Sequence, residues 1–339
     1  MARQSREQVL SSPGYGLSDV QKSFVEWFAK RAAGFRKVHL DSTGDRGYRT
    51  VSLLLALYNS GRSNSFGPEL ELHTGSNFLL EASDTCQLIT GMLTRLQCSA
   101  YTVEFGLQNI ATCARLTALR LQGAAEAVHL TENLHDLQQL VHLQELHLEH
   151  FQSLPDNLLY NLSKLQVLNL TDGQEDTYDL SGATQLTALN ITQKNEPSLL
   201  RRLILPSGNA VQLQKFCLLF KGQAEPEDQQ MHELLNLEAA TGLQTVELDR
   251  FYPDSVREAG WPQAMPSLTS LAVLGMPVGP PREWQNYSAL VKLELTHLQS
   301  TSVPDWFAQF TRLKFLKLNK CVLDELSTCM FHLTQLKKA

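Results

Sequence analysis

The chain has 339 residues, 43% of them hydrophobic, and carries 29 Lys and Arg against 35 Asp and Glu, a net charge of −6. That acidic balance, with a pI near 5.9, argues against a general surface for nucleic acid or anionic membranes. No stretch approaches the roughly 18 apolar residues of an ordinary transmembrane helix, so membrane insertion is not expected.

Residues 1–20 are polar, aperiodic and rich in Gly, Ser and Pro, and are expected to form a loose leader. They lack the apolar middle of a signal peptide. Cys86, Cys98, Cys113, Cys217, Cys321 and Cys329 show no C-x-x-C spacing and do not cluster, as small thiols in a reducing compartment would not. N-x-S/T triplets begin at Asn161, Asn169, Asn190 and Asn286 and would matter for glycosylation only in a secreted chain. The expected location is intracellular and cytoplasmic, the cytoskeleton and a ciliary axoneme included.

From Ser23 to Phe35 the spacing of Phe24, Trp27, Phe28 and Ala32 predicts a helix, and Val38 with Leu40 a strand after it. Residues 48–58 predict a second helix, Leu70 and Leu72 a second strand, and residues 78–96 a long helix. Two registers remain open after that: Leu93, Leu96 and Cys98, or Val103 and Phe105. Residues 21–110 are therefore read as degenerate N-terminal repeats with longer helices.

Residues 111–339 are ordered by one frame, L-x-x-L-x-L. It is clearest at Leu143, Leu146 and Leu148 and again at Leu165, Leu168 and Leu170. The last two apolar positions alternate as in a strand, whereas pairs such as Leu159 and Leu162 suit a short helical return. Frames begin at Leu116, Leu143, Leu165, Leu186, Leu213, Leu243, Leu268, Leu290 and Leu313. Ile110 and Cys113, Leu137 and Leu140, Trp284 and Tyr287, and Phe307 and Phe310 supply further apolar return pairs. The pattern resembles the leucine-rich repeat family, and L-P-x-x-L before a frame is like its plant-type form. The helix W-F-A-K-R running into V-x-L resembles the opening repeat of plant and algal F-box/leucine-rich-repeat proteins, although no F-box precedes Ser23.

The resemblance implies an α/β fold: a leucine-rich repeat solenoid, a curved arc with parallel strands on the concave face and helical or 3-10 returns on the convex face. Two departures stand out. Leu200, Leu203 and Leu205 offer a frame too close to Leu213 for a full repeat, so one of the two must be a return helix or an irregular loop. The ninth frame position, where the family often places Asn, holds Phe151, Gly173, Lys194 and Phe251, so turn hydrogen bonds must come from backbone or water. Residues 332–339 would begin a tenth frame, an incomplete last repeat.

No phosphate loop, dinucleotide fingerprint, H-E-x-x-H or G-x-S-x-G occurs, so no cofactor and no catalysis are expected. The histidines between His129 and His150 are badly spaced to share a metal, and none is expected. What remains is the outward side of the strands. Its fifth frame position reads Arg120, His147, Asn169, Asn190, Cys217, Glu247, Ala272, Glu294 and Lys317. Its seventh reads Gln122, Glu149, Thr171, Thr192, Leu219, Asp249, Leu274, Thr296 and Asn319. Most of these are expected to be solvated. Cys217, Leu219 and Leu274, bordered by Glu247, Asp249, Glu294 and Lys317, form the candidate partner-binding patch, since apolar groups inside a polar rim are usual protein-contact anatomy. The expected function is non-catalytic binding of a protein partner through the concave sheet. The F-box resemblance implies an alternative, the substrate-receptor arm of a cullin-type ubiquitin ligase, with adaptor contact only if an F-box lies upstream. A structural scaffold is a third.

Overall fold

The computed structural model describes residues 23, 37–42, 69–74, 93–99, 110–122, 134–175, 177–194, 202–205, 212–220, 237, 240–249, 263–275, 279–298, 300, 302–323 and 327–337. The chain divides into two compact units, Met1–Leu143 and Gln144–Ala339.

In the first unit β1 (Lys37–Ser42), β2 (Glu69–Thr74), β3 (Leu93–Ser99) and β4 (Ala118–Gln122) pair in parallel in chain order. The strands expected at Val38 and at Leu70 are present. β3 decides the open register: Leu93, Leu96 and Cys98 are buried, and Leu96 and Cys98 stand opposite Leu119 and Leu121. A helix reaching Leu96 is therefore overturned, because residues three apart suit both a helix and this frame, and backbone pairing with β4 selects the strand. The helices expected at 24–35 and 48–58, the rest of 78–92, and Val103 with Phe105 lie outside the described residues. On the return side Ile110 and Cys113 are buried. A 3-10 helix, Leu134–Gln139, buries Leu134 and Leu137.

The second unit carries β5 (Glu145–Glu149), β6 (Val167–Thr171), β7 (Thr177–Asp179), β8 (Ala188–Gln193), β9 (Arg202–Ile204) and β10 (Lys215–Phe220). β11 (Thr245–Asp249), β12 (Ser270–Leu274), β13 (Lys292–Thr296) and β14 (Phe315–Asn319) complete it. The main sheet runs β5-β6-β8-β10-β11-β12-β13-β14, parallel throughout. Frame positions match across every step, so Leu146, Leu168, Leu189, Phe216, Val246, Leu271, Leu293 and Leu316 form one buried row. Burying each is worth roughly 1.5–3 kcal/mol. The backbone adds its own stack at the second frame position. There the N–H of Gln166 donates to the Gln144 carbonyl, Gln214 to Thr187, Gln244 to Gln214, Val291 to Thr269 and Lys337 to Lys314. The unequal repeat lengths therefore leave the strand register intact.

The returns are short helices: α1 (Leu158–Asn161) and the 3-10 segments Arg282–Asn286, Asp305–Gln309 and Thr328–His332. Pro281 and Pro304 immediately precede two of them. Trp284, Tyr287, Phe307 and Phe310 are fully buried beneath, so Trp284 belongs to the core. Burial first, and then the charge of Glu283, push the Tyr287 pKa up.

Residues 202–204 correct the sequence expectation, being neither return helix nor irregular loop. β9 pairs in parallel with β7 as a second, two-stranded sheet, with Tyr178 opposite Leu203 and both buried. The Leu213 frame is the true one, with Leu213, Phe216 and Leu218 all buried.

The missing asparagines are replaced by backbone. His150, Asp172, Gly275 and His297 occupy the eighth frame position with φ of 55°, 49°, 80° and 56°. Each donates its N–H to the carbonyl of the seventh position of the next strand, namely Thr171, Thr192, Thr296 and Asn319. Two longer repeats do otherwise. β8 and β10 continue straight through the eighth position and turn Gln193 and Phe220 inward as paired, buried residues. Gln193 then donates its side-chain amide to the Gly173 carbonyl at 3.1 Å.

Candidate functional site

With positions four and six committed to the core, strand geometry points positions five and seven to the opposite face. The expected outward residues lie there, in rows set by the parallel register.

At the β5 side the row is not merely solvated. His147, Asn169 and Asn190 stand side by side on β5, β6 and β8. Asn169 donates to His147 Nε2 at 2.8 Å, and Asn190 donates to the Asn169 carbonyl oxygen. Beside it Lys194 Nζ lies 2.6 Å from Glu149 Oε1, and His150 Nδ1 lies 3.6 Å from Asp172 Oδ2. Sequence reasoning missed this network because its partners are 22 and 21 residues apart in the chain.

In the middle of the row Cys217, Glu247 and Ala272 are consecutive on β10, β11 and β12. Cys217 is outward but only 6% exposed, and Ala272 7%. The Cys217 thiol donates to Glu247 Oε2 at 3.4 Å. A small side chain between longer neighbours sits low, so Cys217 forms the floor of the patch rather than a projecting apolar group. Leu219 and Leu274 are half-buried. Leu219 is thus outward, with Leu218 and Phe220 beside it facing the core. Asp249 lies next to Leu274 in the seventh row.

At the β14 side Glu294 is held between two lysines. Lys317 Nζ contacts its Oε1, and Lys292 Nζ lies 3.6 Å from its Oε2. The Lys317 hydrogen bond, opposed by partial desolvation and helped by both lysine charges, holds the Glu294 carboxyl below its ordinary pKa. Lys292 also lies over the Phe315 ring, 5.5 Å from its centroid. The rows therefore bring Cys217, Leu219, Glu247, Asp249 and Leu274 together on three adjacent strands, and place Glu294, in register beside Ala272, in an ion cluster with Lys317 along the edge of that patch. Among the described residues no group of three or more His, Cys, Asp or Glu could hold a metal ion, and no helix is long and apolar enough to cross a membrane.

No family model matches the sequence, and no curated protein matches it. Solved structures do match. A TDR receptor aligns with TM-score 0.52 at 14% identity, over 91% of this chain and 51% of the receptor chain. The chain has the leucine-rich repeat fold. That likeness concerns fold alone, and the chain spans about half the receptor's length. A leucine-rich repeat protein of Leptospira interrogans aligns at 16% identity over 92% of this chain and 93% of that one, with TM-score 0.41. An internalin of Listeria monocytogenes aligns at 16% identity over 95% and 87%, with TM-score 0.45.

Proposed function

We propose that this chain is a non-catalytic binding module whose outward sheet face, the concave face of a leucine-rich repeat solenoid, receives a protein partner. The observation that carries this is the continuous patch on β10, β11 and β12. Leu219 and Leu274 border Glu247 and Asp249 over a floor made by Cys217 and Ala272. Every side chain there stands on a strand fixed on both sides by backbone pairing, so little conformational entropy is lost on contact. Half-buried leucines ringed by charge are the usual core and rim of a protein contact. Glu294 and Lys317 form its rim, where charge steers encounter more than it holds the complex.

Capture of a partner by the immobilised full chain, followed by competition with variants, tests the reading. Leu274→Arg should abolish capture with an unchanged thermal midpoint, while Arg282→Glu, on a return segment, should leave it intact. A partner indifferent to Leu274→Arg but lost with Arg282→Glu would assign binding to the return side instead.

A further inference from the structure

β14 is bonded to β13 along one edge and, among the described residues, to no strand along the other. Two features of that open edge are made for a further strand. Lys320 holds the eighth frame position with φ 52°, the left-handed turn already seen at His150, Asp172, Gly275 and His297. Those four give their N–H to the seventh-position carbonyl of the following strand, whereas the Lys320 N–H has no acceptor among the described residues. Leu318, at the sixth position, is half-buried, although Leu148, Leu170, Leu218, Leu248 and Leu295 in the same row are fully buried. The turn is set and the core row is uncovered in the same place. We propose that this edge takes up an extended acidic segment of a partner protein as an added parallel strand. The edge lies apart from the concave docking face, and the proposal does not rest on that reading.

Charge selects the occupant. Residues 311–339 hold six Lys and Arg against two Asp and Glu, in a chain of net charge −6. Lys314 and Lys320 flank β14, both exposed and without a carboxylate partner among the described residues. A second copy fits badly. Pairing β14 with itself about a two-fold axis runs antiparallel and sets Lys317 against Lys317, with Lys314 near Lys320. Edge lysines deter such pairing, and the same charge favours a strand that brings Asp or Glu. A nucleic acid would meet the charge but supply neither a backbone ladder nor an apolar group for the Leu318 row.

The register follows from the step between β13 and β14, where Glu294 stands beside Lys317 and the His297 N–H meets the Asn319 carbonyl. The Lys337 N–H already takes the Lys314 carbonyl, so the open row lies beyond it, alongside Leu316 to Lys320. A strand repeating that step places an outward residue beside Lys317 and an inward one beside Leu318. Its next carbonyl then meets the Lys320 N–H. The complementary segment therefore alternates apolar and acidic residues, acids outward. In strand addition the main-chain bonds supply affinity and the alternate side chains specificity.

Two end-capped seven-residue peptides, one alternating Glu with Leu and the other Lys with Leu, test this by fluorescence anisotropy on the full chain. The glutamate peptide should bind about tenfold or more tightly than its twin, the usual worth of a charge-assisted contact. Its binding should slow hydrogen exchange at Lys320 and along β14. Lys314→Glu with Lys320→Glu should reverse the preference at an unchanged thermal midpoint. A glutamate peptide methylated at its glutamate nitrogens keeps its charge but loses the N–H groups that would face β14, and should not bind. Binding that survives methylation would mean charge attraction without strand addition and would overturn the proposal. Equal affinity of the two peptides, or no binding of the glutamate peptide, would overturn it as well. A chain that sediments as a dimer, with β14 already protected from exchange, would assign the edge to a second copy instead.

Discussion

Gly173 and Tyr178 are packed so closely that a Cβ on Gly173 would run into the Tyr178 hydroxyl and stand 2.5 Å from Phe151 Cζ. Phe151 and Tyr178 are both fully buried, with ring centroids 6.1 Å apart. Desolvation and the nearby Glu175 charge push the Tyr178 pKa up; the neighbouring Gln193 amide acts the other way, without reaching good hydrogen-bond geometry with the hydroxyl. A bare Cα at position 173 lets the turn after β6 close over this aromatic pair and the β7–β9 ladder.

Gly173→Ala should therefore destabilise the second unit by about 1–3 kcal/mol, the usual cost of overpacking. Tyr178→Phe removes the atom that meets the new methyl. The double change should recover part of the loss, read as a positive coupling in a denaturation cycle. Strict additivity would show that the clash lies with Phe151 instead.

The left-handed turns give a second prediction, of opposite sign at two equivalent positions. His297 holds φ 56° with an exposed side chain, while Gly275 holds φ 80° one repeat earlier. His297→Gly should be neutral or stabilising by up to about 1 kcal/mol, since glycine removes the left-handed penalty while adding unfolded-chain entropy. Gly275→Ala should cost about 1 kcal/mol for the same reason reversed. Thermal midpoints check both, and equal shifts of the same sign would refute the turn assignment.

These turns also show where the sequence stopped being legible. The leucine frame was readable because a strand position repeated in phase must face a common core; the structure buries Leu116, Leu165, Leu243 and Leu313 alike. The turn device was hidden because His150, Asp172 and His297, although of types that accept a positive φ better than most, signal it far more weakly than glycine does, and Lys320 does not signal it at all. LLRRLIL imitated a frame because β9 also needs an inward Leu203, but against β7 rather than the main sheet. At the patch, alternation placed Leu219 and Leu274 outward from sequence alone. The low seat of Cys217 depends on which side chains flank it across strands, and chain order does not reveal that.

Leu168 and Asn169 separate the two faces in one experiment. Leu168 is fully buried, so Leu168→Asp forfeits roughly 1.5–3 kcal/mol of burial and adds several kcal/mol for a buried charge. Limited proteolysis should show damage spreading through neighbouring repeats, because each repeat is stabilised by those beside it. Asn169→Ala should cost only about 1 kcal/mol, the net worth of its bonds to His147 and Asn190. That is more than a freely solvated side chain would cost. His147→Ala in the Asn169→Ala background should then add less than it costs alone.

The Glu294 cluster makes stability depend on pH in a definite direction. Its carboxyl pKa is lowered in the folded chain from the ordinary 4.5, with the Lys317 hydrogen bond the largest cause. The folded state therefore holds the ionised form more tightly than the unfolded chain does. That stabilisation is fully present above the unfolded value and fades as pH falls through the folded one. Lys292 and Lys317 are 46% and 47% exposed, so solvent screens the pair and its contribution should not exceed about 1 kcal/mol. The wild type should be more stable than Glu294→Gln at pH 7 by up to that amount, and the difference should shrink as acidification protonates Glu294 in the folded chain. Raising the salt concentration should shrink the difference at pH 7, because exposed charges are screened. Lys317→Met should act in the same direction, and more strongly than Lys292→Met. A wild-type advantage that grew on acidification would mean that Glu294 is destabilised by its surroundings rather than held by the two lysines.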